Sequence, residues 1–134
     1  MAVNITDLTI RRGDGPISFR INFFNLNVGG YQFYLWDPDW TSPKLIASPA
    51  NTIEHPHAIY QIAQDPASLH EHGISIQANA RSPFVTPEGA AKAYRIEVEF
   101  TQKGQPVGGS PIVYSGQLDG GAAPILDYAR FLVV

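Results

Sequence analysis

Between Tyr94 and Phe100 the chain alternates without exception, with Tyr94, Ile96, Val98 and Phe100 separated by Arg95, Glu97 and Glu99. A period of two sends the two sets to opposite faces of an extended backbone. The stretch therefore reads as a strand with one face in a core and the other in water. Ile17 to Leu26 begins the same way, Ile17, Phe19, Ile21 and Phe23 opposing Ser18, Arg20 and Asn22, before Phe24 and Leu26 switch the apolar face. A bulge or a second covered surface is expected at that switch.

Other segments carry the same period between turn signals. Val3 to Ile10 predicts a first strand that ends at Gly13-Asp14-Gly15-Pro16. Asn27-Val28-Gly29-Gly30 predicts a hairpin turn into Tyr31 to Trp36, a strand aromatic on both faces. Asp37-Pro38-Asp39-Trp40-Thr41-Ser42-Pro43 breaks the ladder, because proline cannot donate a backbone hydrogen bond, and Lys44 to Ala47 follows as a short edge strand. Asp65-Pro66-Ala67-Ser68-Leu69 predicts one helical turn, with Asp65 as N-cap and Pro66 at its first position.

Ile74 to Ala80 resumes as a strand, and Gln102-Lys103-Gly104-Gln105 turns the chain into an arm through Pro111 to Leu118. Ile125 to Val134 closes the sequence. Its Phe131-Leu132-Val133-Val134 end is too apolar to hang in water, so it should pair in a sheet or bury at a subunit contact. About seven to nine short strands without a long helix favour one all-β domain over residues 1–134. The expected form is a two-sheet antiparallel sandwich, immunoglobulin-like or jelly roll.

At 134 residues, 44% hydrophobic and 16% charged, the chain has enough material for a core without staples, so a metal would serve function rather than folding. The net charge is −3, and its nine Lys and Arg are spread from Arg11 to Arg130, which argues against capture of nucleic acid or an anionic membrane. Protonation of all four histidines would carry the charge through zero, so a pH response is worth testing. Absence of cysteine excludes disulfides and thiolate chemistry. The first twenty residues contain no apolar run, so neither a signal peptide nor a membrane span is expected there, and a soluble, cytoplasmic protein is the default.

Two stretches carry candidate chemistry. All four histidines fall in two His-x-His pairs, His55-Pro56-His57 and His70-Glu71-His72. On a strand, residues i and i+2 share a face, so each pair could lean onto one ion. Four imidazoles would suit one divalent zinc, nickel or copper, with Glu54 and Glu71 as ligands or orienting partners. Pro56 works against this by favouring a loop or edge, where the histidines would simply be solvated. Cupins also open with His-x-His on a barrel strand. Here Ala58 to Ala63 holds no carboxylate and no histidine follows His72, so the pattern departs from that family and none is identified.

The second stretch is Trp36-Asp37-Pro38-Asp39-Trp40. Indole faces stack on sugar C–H surfaces, and Asp37 and Asp39 could accept hydroxyl hydrogen bonds or help hold calcium, a combination found in lectin sites. The competing reading puts Trp36 in the core and leaves Asp37-Pro38-Asp39 as ordinary turn chemistry. No nucleophile elbow or phosphate-binding glycine loop is present. The expected function is a non-catalytic, lectin-like binding module for carbohydrate or protein, able to self-associate. A small metal-dependent enzyme built on the histidines and a structural subunit assembling through edge strands are the alternatives.

Overall fold

The structure is a computed structural model that describes residues 5–24, 28–48, 59–81, 93–117 and 122–134. Two sheets pack face to face. The first, sheet A, has the order β1 (Ile5–Ile10), β10 (Ala122–Val133), β6 (Gly73–Arg81), β3 (Val28–Trp36), β4 (Pro43–Ala47). In the second, sheet B, β5 (Tyr60–Gln61), β2 (Ser18–Phe23), β7 (Ala93–Gln102) and β8 (Gln105–Pro106) lie in that order, with β9 (Ile112–Gln117) also beside β7. The expected sandwich is present, and among the described residues its strand pairs are antiparallel except for the parallel β1–β10 pair.

Each strand meets the core by alternation. In β7 the even-numbered residues from Ile96 to Gln102 are buried and the odd-numbered ones are not. An aromatic chain crosses between the layers: Phe19 of β2 lies 5.0 Å from Phe33 of β3 and 5.8 Å from Phe100 of β7, and Phe100 meets Phe131 of β10 edge-on at 6.1 Å. One end of the sandwich is closed by buried Gln102. Its side chain accepts from the Arg11 N–H at 2.9 Å and donates to the Arg11 and Gly15 carbonyls at 2.8 and 3.0 Å, so its polar atoms remain satisfied.

Two expectations change. Val28-Gly29-Gly30 is strand and not the expected hairpin turn, Asn27 lying outside the described residues: β3 begins at Val28, Gly29 and Gly30 pair with Ala80 and Asn79, and β2 lies in the other sheet. The reason is burial, since the apolar faces of β2 and β3 must meet across the core rather than lie side by side. The face switch needs no bulge in β2, because that strand ends at Phe23 and exposed Phe24 has the Arg95 guanidinium 5.8 Å from its ring centre. Leu26 lies outside the described residues. An irregularity does occur, between Phe33 and Tyr34 where β3 pairs with the edge strand β4.

The short helix is a 3-10 turn, η1 (Pro66–Leu69), with Asp65 accepting from the Ala67 N–H at 3.2 Å as anticipated. The apolar C-terminus pairs with β1, burying Phe131, and the Val134 N–H donates to the Ile10 carbonyl at 2.9 Å. Among the described residues no helix is long and apolar enough to cross a membrane.

Candidate functional site

The two outer faces differ. Sheet B presents ion pairs: Arg20 to Glu99 at 2.6 Å and Arg95 to Glu97 at 3.3 Å, with Ser18, Asn22 and Thr101 among them. Sheet A turns Tyr34 and Trp36 of β3 outward beside Tyr128 of β10, and the β3–β4 loop lays Trp40 over them.

That loop is folded by Asp37. Its carboxylate accepts from the Thr41 hydroxyl at 2.7 Å, the Thr41 N–H at 2.7 Å and the Ser42 N–H at 2.8 Å. The Thr41 hydroxyl foremost, then the Ser42 N–H, hold its carboxyl below the ordinary aspartate range. Pro38 follows Asp37 in a turn closed by the Trp40 N–H donating to the Asp37 carbonyl at 2.9 Å, an arrangement that suits proline's fixed φ. Trp40 itself has φ 58°, a left-handed conformation costly for a bulky side chain.

This conformation places the indole against Gly73 of β6. A Cβ built on Gly73 would lie 2.2–2.6 Å from three atoms of the Trp40 six-membered ring, so that ring occupies the space a side chain would take. Trp36 is 6.1 Å away, tilted by 37°, and Tyr128 stands edge-on at 5.7 Å. Beneath them Ser75 is buried although it points outward, and its Oγ accepts from the Trp36 Nε1–H at 2.9 Å. The result is an aromatic platform in which Trp36 and Trp40 remain partly exposed.

The sequence readings thus divide. Trp36 is not a core residue; it belongs to the outer cluster because it continues the outward set of β3 after Gln32 and Tyr34. Asp37 does perform turn chemistry, with its carboxylate engaged inside the loop. Asp39 is exposed at the loop tip beside Trp40. Gly73, Ser75 and Tyr128 were not singled out from sequence. The alternation of Leu126, Tyr128 and Arg130 in the last strand was the available signal.

His55 and His57 lie outside the described residues. His70 and His72 do not sit on a strand: Glu71 between them has φ 65°, and the segment is a turn after η1. The same-face argument therefore does not apply to this pair. Instead the turn extends sheet A. The Glu71 N–H donates to the Phe131 carbonyl at 2.7 Å, the Phe131 N–H to the His72 carbonyl at 2.9 Å, and the Val133 N–H to Nδ1 of His70 at 3.0 Å. With Nδ1 accepting, a neutral His70 carries its proton on Nε2, so ligation through Nε2 would sacrifice the bond to Val133. Among the described residues no three His, Asp or Glu side chains are grouped to hold an ion.

Compared with known proteins, the chain matches no family model, no curated protein and no solved structure.

Proposed function

We propose that this protein is a non-catalytic, lectin-like binding module whose ligand lies on the outer face of sheet A. The observation that carries the reading is the indole of Trp40, held in a left-handed conformation over Gly73 with Trp36 and Tyr128 around it. A strained backbone that keeps a large aromatic partly exposed is costly unless the ring is used. A flat indole suits the C–H face of a sugar, and Gln32 and Gln77, one row beyond Tyr34 and Ser75, supply amide donors and acceptors.

The test is binding to a glycan array and to soluble polysaccharides, with Trp40→Ala as the variant. Affinity is expected to fall at least about tenfold, equivalent to about 1.4 kcal/mol, with the melting curve still cooperative. An array without hits would remove the proposal.

A second reading, assembly of copies through this face, rests on Ile5, Leu45 and Leu126. They are 39%, 49% and 57% exposed and border the same platform. Sedimentation at increasing concentration separates the two. Assembly requires a dimer that Leu126→Lys dissolves, and a strict monomer rules it out.

A further inference from the structure

We infer that Asp7 and Arg130 form the polar half of this site, and that its ligand is a neutral pyranose lying on Trp40 with its hydroxyls against that pair. This rests on the glycan reading above. Arg130 of β10 is the register partner of Gly73, and Asp7 of β1 is the register partner of Arg130. Trp36, the Gly73 that Trp40 covers, Arg130 and Asp7 therefore make one row across four adjacent strands, each neighbour roughly 5 Å from the next.

The pair is geometrically incomplete in a useful way. Both Nε and Nη2 of Arg130 donate to the same oxygen, Oδ1 of Asp7, at 3.1 and 3.0 Å. Among the described residues Oδ2 of Asp7 and Nη1 of Arg130 make no hydrogen bond, and both side chains are partly exposed. An acceptor and a donor are thus left open on one ion pair beside an aromatic face, Nη1 being the guanidinium nitrogen turned away from Asp7. Two hydroxyls of one sugar ring would engage them, one donating to Oδ2 and the other accepting from Nη1.

The chemistry also disfavours other occupants. An anion on this row would meet Asp7, and a cation would meet Arg130. An apolar protein surface would strip water from both ions without replacing its hydrogen bonds. A neutral sugar replaces that water while covering the indole.

The experiment is affinity electrophoresis of the full chain through gels containing hydroxyethylcellulose, glucomannan or galactan, with polygalacturonate as the charged probe. At least one neutral polymer is expected to retard the wild type. Asp7→Asn and Arg130→Gln should each weaken that retardation about tenfold, the scale of one hydrogen bond to a charged group. Arg130→Lys keeps the charge but has no Nη1, so it should fall with them. Glu97→Gln, on the opposite face, should bind like wild type. Melting curves guard against misfolding, since an exposed ion pair adds little stability.

If Trp40→Ala abolishes retardation while all three Asp7 and Arg130 variants bind normally, the aromatic platform stands and the polar role assigned here is wrong. Retardation by polygalacturonate alone overturns the neutral ligand. A wild type that none of the polymers retards overturns both this inference and the glycan reading.

Discussion

Gly73 and Trp40 are a matched pair, because the indole takes the space of the missing side chain. Gly73→Ala is expected to leave the strand intact while displacing the indole, the far end of a side chain that can swing away. The cost should be about 1–3 kcal/mol in a urea melt. Trp fluorescence should shift red and glycan affinity should fall as in Trp40→Ala, although no aromatic residue has been removed. Unchanged fluorescence would mean that the ring does not rest there.

Asp37 acts on the same loop through its charge. A carboxyl whose folded value is lowered contributes fully above its ordinary value of about 3.9. It loses that contribution as pH falls through the lowered folded value. The Thr41 and Ser42 amide resonances should therefore titrate with a midpoint below about 3.9. A midpoint at or above it would contradict the capping geometry.

At the scale of elements, the turn after η1 is held to β10 partly by one imidazole. His70→Ala removes the acceptor of the Val133 N–H. A loss of about 0.5–1.5 kcal/mol is expected, with faster hydrogen exchange at Val133 and little change in the middle of β10. Unaltered exchange at Val133 would show that the bond does not form in solution. The sequence displayed His70-Glu71-His72 as a spacing but not as a turn. Glu71 has a positive φ in a turn whose partners, Phe131 for its own N–H and Val133 for the His70 ring, are distant in the chain. Alternation, by contrast, is a local property, and β6 and β7 were legible from it, whereas β10 was expected only from its apolar end. The Gly29-Gly30 pair misled for the complementary reason: glycine marks turns statistically, yet here the ladder with β6 continues through it.

On the scale of the whole molecule, Tyr114 of β9 and Asp127 of β10 tie the two sheets together, the phenol donating to Oδ2 at 2.5 Å. Burial, then that hydrogen bond and the charge of Asp127, push the Tyr114 phenol well above its ordinary range. The folded state therefore holds this proton more tightly than the unfolded chain. Its contribution is complete below about pH 10 and is lost as pH rises beyond it. Tyr114→Phe is expected to cost about 1–3 kcal/mol at neutral pH, because Asp127 loses its donor, and to flatten the alkaline decline in stability. Tyr31, raised chiefly by burial and then by its hydrogen bond with Tyr60, keeps part of that decline. An alkaline limb identical to wild type would argue against the inter-sheet bond.

Taken alone, the sequence determined an all-β sandwich, the inward residues of β2, β6 and β7 and the break from Asp37 to Pro43, because period-two burial and proline chemistry act between near neighbours in the chain. Only the tertiary structure decided which strands became neighbours. That choice put Gly73 under Trp40, Tyr128 at its edge, and Arg130 with Asp7 on the same row. Cross-strand adjacency arises when apolar faces seek one shared core, and no local pattern encodes which distant segment will complete the row.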